Sequence, residues 1–314
     1  MMEQWINDFP QQLAYEPVLC GAEKLGTYAS YVVVGMGGSN LCTELIGTIN
    51  LKLDIIIHRD YGLPNIPAER LKKSLIILSS YSGTTEEVLS AYAEARAKGL
   101  SILAITTGGT LLAHAQHDGI PYIQIPATGI PPRLSLGYRL KALTAIMNLQ
   151  EASAELTRLA TQLPIATIQD QAKNIAHAIG TSIPVIYAST LNLPLTYTWK
   201  IAINENTKHP AFCNAIPEMN HNEMVGLTKA FHVLLLQDPE DHPRVQKRML
   251  VMHDLLQQQG IPVTLIPLQG SSRIERSVIT VLMSIWASFF MANQLGIDPE
   301  SVPLVEEFKK LIAK

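Results

Sequence analysis

The sequence has little charge and few cysteines, and both shortages narrow the class of protein. Only 16% of its 314 residues are charged, against about 25% in an average soluble protein. With 47% hydrophobic residues it cannot be a disordered chain, because disordered chains lack apolar residues. A net charge of −3 argues against a general nucleic-acid or anionic-membrane surface, while a local anion site stays open. Cys20, Cys42 and Cys213 are odd in number and lack metal-ligand spacing, which indicates core residues in a reducing compartment.

Residues 277–297 contain no charged side chain. A helix needs about 20 apolar residues to span a bilayer, so this stretch is long enough to do so. Six polar side chains interrupt this stretch, so a buried helix is favoured over a membrane helix. At the start of the chain, Glu3 and Asp8 break any signal-peptide pattern. We therefore expect a cytoplasmic protein without a membrane partner. The polar residues of the stretch are Ser277, Thr280, Ser284, Ser288, Asn293 and Gln294.

Apolar strands alternate with helices through the first half of the chain. The helix at residues 85–98 is amphipathic, with apolar residues on one face and Gly99 at its end. Continuous apolar strands separated by helices predict a parallel sheet covered on both faces. The predicted strands are residues 31–35, 53–58, 74–80, 101–106 and 121–125; the other predicted helix lies near 41–48; and the apolar face of the 85–98 helix is Val88, Ala91, Tyr92 and Ala95.

The second half repeats this alternation more faintly. Strands are predicted at 184–188, 231–236 and 262–266, and a helix at 244–259. A helical stretch at about 137–163 joins the halves. The fold prediction is therefore α/β, with domains at 1–150 and 151–314, and with ligands at the carboxyl ends of the strands.

A glycine-rich loop, GMGGS at residues 35–39, follows the first predicted strand. It falls short of a dinucleotide fingerprint because Asn40 replaces the last glycine and His58-Arg59 stands where an acidic residue is expected. A Walker A loop is excluded because no Gly-Lys-Ser/Thr follows. The glycines still allow a ligand to approach the backbone and the N–H groups at a helix start.

Four hydroxyl side chains crowd the turn after the third strand, in SYSGTTE at residues 80–86. Several donors at the positive end of a helix suit a phosphomonoester, whereas an ordinary N-cap needs only one hydroxyl. The pattern favours an anion site, which Ser39 could close from the other side. TTGGT at 106–110 is either a third ligand-facing loop or a plain turn, and His114 and His117 are interpreted as surface residues because no carboxylate partner completes a metal site.

The remaining candidates are charged or titratable residues in otherwise apolar or proline-rich segments. Arg133 follows two prolines, and its guanidinium could hold an oxyanion or simply lie on the surface. Glu205 follows an apolar stretch, and partial burial would raise the pKa of its carboxyl group toward that of a working base. His221 stands within Asn220-His-Asn-Glu223. Acid–base chemistry and an Asn/Glu hydrogen-bond network that joins subunits are both compatible with this pattern.

Taken together and in order, these motifs closely resemble the bifunctional phosphoglucose/phosphomannose isomerase family, from about residue 17 to the C-terminus. That family consists of two sugar isomerase (SIS) domains, so the resemblance implies two flavodoxin-like, three-layer αβα sandwiches with parallel sheets. The motifs are GMGGS, SSYSGTTEE, PPRLSLGY, NENTKHPAF, PEMNHNEMVG and VPLVEEFKKLIAK.

The resemblance also implies a role for each matching residue. Glu205 would move the proton between C1 and C2, and Arg133 would steady the enediolate. His221 would open the sugar ring from the neighbouring subunit of a homodimer, and Lys309, or Lys310 if the register slips, would contact the opening sugar. The phosphate would lie against Ser80, Ser82 and Thr85, in a pocket lined by Gly37, Gly38 and Ser39.

The activity expected from the resemblance is aldose–ketose isomerisation of glucose 6-phosphate and fructose 6-phosphate through a cis-enediol, without a metal or other cofactor. Val302 stands where the family often has a threonine that helps to accept mannose 6-phosphate, so mannose activity stays open. Two alternatives are a non-catalytic SIS regulator that senses a phosphosugar, and an aminosugar isomerase or synthase half.

Overall fold

In the computed structural model, which describes residues 1–312, the chain forms two compact units. One is Asp8–Leu163, and the other is Met1–Asn7 together with the chain from Pro164 onward. The boundary therefore lies later than the predicted one at 150, because the helix at Gln150–Gln162 buries Ala152, Leu156 and Leu159 and packs on helices of the first unit.

The first unit, which we call the N-terminal unit, is built on a six-stranded sheet in the order β1-β6-β5-β4-β2-β3. Only β1 runs antiparallel, so the predicted parallel sheet is confirmed. The two-residue strand β1 is too short to leave a sequence pattern. The strands are β1 (Leu19–Cys20), β2 (Ser30–Gly35), β3 (Asp54–His58), β4 (Ser74–Ser79), β5 (Ile102–Thr106) and β6 (Tyr122–Gln124).

Helix α5 (Glu86–Ala97) of this unit buries its apolar face against the sheet. The predicted face of α5 is confirmed, since all four of its residues are buried in one cluster with residues of β2, β4 and β5. The helices are α2 (Phe9–Leu13), α3 (Gly38–Ile49), α4 (Ala68–Lys73), α5 (Glu86–Ala97), α6 (Gly109–His117), α7 (Leu136–Ile146) and α8 (Gln150–Gln162), with short 3-10 helices at Ala22–Lys24 and Pro132–Leu134.

The second unit, here the C-terminal unit, has a parallel four-stranded sheet in the order β10-β9-β7-β8. Strand β8 at its edge was not predicted, because Asn214 interrupts a run of only five residues. The strands are β7 (Ile183–Ser189), β8 (Phe212–Ile216), β9 (Phe231–Gln237) and β10 (Val263–Pro267). The helices are α1 (Met2–Asn7), α9 (Ile165–Ile179), α10 (Leu193–Thr207), α11 (Pro243–Gln258), α12 (Arg273–Leu295) and α13 (Pro303–Ile312), with 3-10 helices at Thr190–Asn192, Glu218–His221 and Met224–Gly226.

Helix α12 contains most of the uncharged stretch. Its 23 residues are long and apolar enough to cross a membrane, yet 78% of its most apolar window is buried, and it packs on α9 and α10. The hydroxyls of Thr280, Ser284 and Ser288 donate to carbonyls one turn earlier at 2.7–2.8 Å, which satisfies them inside an apolar core. These contacts agree with the buried-helix interpretation.

Candidate active site

The glycine-rich loop and the hydroxyl loop follow neighbouring strands, β2 and β4, with Gly35 opposite Ser79. After β2 the chain turns to β3 at one edge, and β4, β5 and β6 then extend the sheet in the other direction. The crevice at the carboxyl ends of β2 and β4 is therefore the topological switch point, where open α/β sheets bind their ligands. The two loops are more than 40 residues apart in the sequence, yet they lie side by side at the carboxyl ends of these strands.

Inside the hydroxyl loop, Ser80 has a different environment from Ser82. The Ser80 side chain is buried; its Oγ lies 2.7 Å from Thr85 Oγ1 and accepts a hydrogen bond from the Gly83 N–H at 3.0 Å. Ser82 is exposed, and its Oγ lies 3.0 Å from Thr84 Oγ1. Thr85 occupies the N-cap of α5 without a side-chain cap bond. The serine and threonine hydroxyls therefore hydrogen-bond within the loop and do not cap α5, and the anion site stays a prediction.

The TTGGT segment supports the hydroxyl loop from behind. Gly83 has φ +70°, and a Cβ there would lie 1.9 Å from the Gly108 carbonyl oxygen. Leu111 N–H donates to Gly83 O at 2.9 Å, and Thr107 N–H donates to Tyr81 O at 3.1 Å. Only glycine fits this approach of two backbones, so the segment acts as a structural neighbour of the loop.

The glycine-rich loop starts α3 beside the same strands. Gly37 has φ +52°, and a Cβ on Gly35 would lie 2.8 Å from Ser79 O. Ser39 is buried in the first turn of α3. Asn40, the residue that spoils the dinucleotide fingerprint, donates from Nδ2 to the carbonyls of Gly35 and of His58, the latter at 2.9 Å, so it ties together the ends of β2 and β3.

Arg133 lies in the 3-10 helix Pro132–Leu134 and is only 7% exposed, so its alternative interpretation as a surface arginine is wrong. A Cβ on Gly38 would lie 3.4 Å from Pro132 O, which places the arginine's turn against the glycine-rich loop. The N-terminal unit therefore brings three of the predicted segments together.

Sequence reasoning missed Arg139, on α7. Its side chain is 1% exposed, its Nη2 donates to Pro132 O at 2.5 Å, and its Cζ lies 5.7 Å from the centre of the Tyr81 ring. The available signal was a lone arginine within an apolar helical segment, LGYRLKALTAI, at Leu136–Ile146. That signal is weak because surface helices carry arginines at such spacings too.

Glu205 lies near the end of α10 and is half-buried, as its apolar neighbours predict. The adjacent Asn206 is fully buried and donates from Nδ2 to Ser288 Oγ on α12 at 2.8 Å. This bond fixes the last turn of α10 against the core helix, so the asparagine of the motif has a structural part.

His221 ends the 3-10 helix Glu218–His221 and is exposed. Glu223, two residues on, accepts hydrogen bonds from Tyr187 Oη at 2.8 Å and from Asn214 Nδ2. Burial, together with the bond to Glu223, raises the pKa of Tyr187. An Asn/Glu network therefore exists within the unit and holds the loop, while the His221 imidazole projects from it.

Lys309, Lys310 and Val302 lie in or just before α13. Pro303–Ile312 has no buried residue, so no pocket of its own unit encloses Lys309. His114 and His117 are exposed, as interpreted from the sequence. Across residues 1–312, no three His, Cys, Asp or Glu side chains are grouped closely enough to hold a metal ion.

Comparisons with known proteins agree with the motifs. Residues 168–312 match the family model described as bacterial phospho-glucose isomerase C-terminal SIS domain. A bifunctional phosphoglucose/phosphomannose isomerase of Aquifex aeolicus is 32% identical over 98% of this chain and 97% of its own length. One from Caldicellulosiruptor bescii is 34% identical over 90% of this chain and 89% of its own.

Among solved structures, glucosamine-6-phosphate deaminase from Thermotoga maritima superposes with a TM-score of 0.72 at 14% identity and covers 96% of each chain, a likeness of fold alone. The SIS-type α/β fold implied by the motifs is confirmed. Given the identity over nearly its whole length, the chain belongs to the bifunctional phosphoglucose/phosphomannose isomerase family.

Proposed function

We propose that the protein interconverts glucose 6-phosphate and fructose 6-phosphate through a cis-enediol, with mannose 6-phosphate as a second aldose. The observation that carries this proposal is 32% identity over 98% of the chain to a relative named as a bifunctional isomerase. A non-catalytic regulator would need the phosphate loop but not Glu205, and the relatives named as enzymes do not favour it.

Phosphate binding falls to the two loops at the switch point. Ser82 and Thr84 offer exposed hydroxyls, and Ser80 and Thr85 shape the turn from below. The starts of α3 and α5 add backbone N–H groups and their positive dipole ends. A phosphate monoester is thereby held without a surface cluster of lysines, which fits the low net charge.

Proton transfer falls to Glu205. In the aldose-to-ketose direction its carboxylate takes the proton from C2, the C1 carbonyl oxygen becomes the enediolate oxygen, and the proton returns to C1 while the C2 carbonyl forms. Arg133, whose charge does not depend on pH in the working range, stabilises the developing oxyanion. The reaction moves one proton from C2 to C1 and one from the C2 hydroxyl to the C1 oxygen, so atoms and electrons balance without a redox cofactor or a metal.

Ring opening falls to His221, with Lys309 as the second group at the opening sugar. An imidazole can take the proton of the C1 hydroxyl and give one to the ring oxygen. His221 is exposed on its own unit, which supports a homodimer in which it serves the neighbouring subunit. We place this dimer in the cytoplasm, where its three cysteines stay reduced.

The decisive experiment is the substitution Glu205→Gln. The matched control is Glu23→Gln, at an exposed position that is distant from Glu205 in the sequence. We expect Glu205→Gln to lose at least about a hundredfold in kcat, within the usual range for a general base, while it still binds fructose 6-phosphate. The coupled assay of fructose 6-phosphate turnover measures this loss, and activity unchanged by a chelator tests the metal-free step. Near-normal turnover of Glu205→Gln would overturn the assignment.

A further inference from the structure

We infer that Arg139 supplies the fixed positive charge of the phosphate site, as a residue that strengthens anion binding from beneath the two loops. The inference rests on the proposed phosphosugar site and adds a residue that none of the family motifs assigned. Three observations lead to it: the guanidinium lies between the two loops, two of its nitrogens have no hydrogen-bond partner in the described part of the chain, and Lys141 on the same helix has several.

The guanidinium lies between the two ligand loops. Arg139 Nη2 is 3.1 Å from the position that a Cβ on Gly38 would take, at the start of α3. Its Cζ is 5.7 Å from the ring centre of Tyr81, in the hydroxyl loop. The same Nη2 donates to Pro132 O at 2.5 Å, next to Arg133. All three segments that define the switch-point site therefore touch one cation.

That cation is not neutralised. Arg139 Nε and Nη1 are buried and find no hydrogen-bond partner among residues 1–312, and no carboxylate in that range forms an ion pair with the group. The Cys42 thiol lies within hydrogen-bond reach of the guanidinium, but burial raises the pKa of this thiol, so the neighbour stays neutral. An unpaired buried charge is costly. A phosphate dianion at the loops would offset that cost across a few ångströms of low-dielectric protein.

Lys141, two residues further along α7, shows what a buried cation with a structural role looks like. It is equally buried, at 1% exposed, but its Nζ donates to four acceptors: Glu16 Oε1, Ser153 O, Ser153 Oγ and Thr157 Oγ1, at 2.6–3.3 Å. Its charge and hydrogen bonds are satisfied within the fold. The contrast between the two cations supports a ligand as the missing partner of Arg139.

The test measures affinity for inorganic phosphate and fructose 6-phosphate by calorimetry, together with urea stability, in Arg139→Met, Arg139→Lys and Lys141→Met. A unit charge several ångströms from a dianion, at an effective dielectric constant of about 20, predicts at least about a tenfold loss of phosphate affinity in Arg139→Met. Replacement of an unpaired buried charge by an apolar side chain is expected to leave stability unchanged or higher. Arg139→Lys should recover most of the affinity, and Lys141→Met should lose stability but keep affinity.

The outcomes separate the alternatives. Unchanged phosphate affinity in Arg139→Met overturns the inference, whether or not stability changes. If Arg139→Met loses both stability and affinity, Arg139→Lys decides: recovered affinity supports the charge, and unrecovered affinity refutes it. A wild-type protein that binds phosphate but does not turn over fructose 6-phosphate would defeat the proposed function and leave this inference standing.

Discussion

Replacement of Gly83 by alanine tests whether the hydroxyl loop depends on its backbone contact with the TTGGT segment. Gly83 has φ +70°, and the new methyl group would lie 1.9 Å from Gly108 O and 2.8 Å from Thr106 Oγ1. Gly99, at the end of α5, offers a matched control, because its φ is +62° but a Cβ there meets nothing within 4 Å. The two variants thus share the strain of a left-handed residue and differ in the clash.

The magnitude follows from these contacts. The left-handed conformation costs a non-glycine residue about 1–2 kcal/mol, and this sets the expectation for Gly99→Ala. In Gly83→Ala the two backbones must also separate by more than about 1 Å. That separation breaks the bonds from Leu111 N–H to Gly83 O and from Thr107 N–H to Tyr81 O, each worth about 1 kcal/mol. We therefore expect Gly83→Ala to cost about 3–4 kcal/mol.

The assay is urea denaturation followed by far-UV circular dichroism. Circular dichroism is preferred to tryptophan fluorescence, because Gly83 lies in the N-terminal unit and all three tryptophans lie in the C-terminal unit. These tryptophans are Trp5, Trp199 and Trp286. Phosphate affinity is measured on the same samples, and we expect it to fall in Gly83→Ala only. If Gly83→Ala costs no more than Gly99→Ala and binds phosphate normally, the backbone-contact argument is refuted.

Three further predictions concern the C-terminal unit. Burial lowers the pKa of His232, so protonation favours the unfolded chain. Stability is therefore full above the unfolded pKa of about 6.5 and falls as the pH drops below it. Urea titrations above that pKa and near pH 5.5 should show this fall, and His232→Gln should reduce it. Trp286→Ala, inside α12, should lower the free energy of unfolding by about 3–5 kcal/mol. The control Asn293→Ala, at an exposed position of the same helix, should change it by less than about 0.5 kcal/mol. Similar costs for both would contradict a core role of the helix. Val302→Thr should raise the ratio of kcat/KM for mannose 6-phosphate over glucose 6-phosphate, and an unchanged ratio in side-by-side kinetics would remove this position from specificity.

The sequence alone was enough for the elements whose local pattern and final environment coincide. Runs such as SLIILS at Ser74–Ser79 are apolar on both faces because helices cover both sides of the sheet. The face of α5 repeats every three to four residues because one side of a helix meets the core. The hydroxyl-rich turn was recognisable because its hydroxyls outnumber the needs of a helix cap.

Only the tertiary structure decided which of these elements meet. The strand order places β2 beside β4 across the switch point, and this order depends on long-range packing that no local pattern records. The environments of Arg139 and Lys141 arise in the same way. Gly38, distant in the chain, lies against Arg139 and carries no charge, whereas Glu16, equally distant, pairs with Lys141. Local physics therefore set the strands, helices and turns, and the packing of distant segments brought three of those turns together.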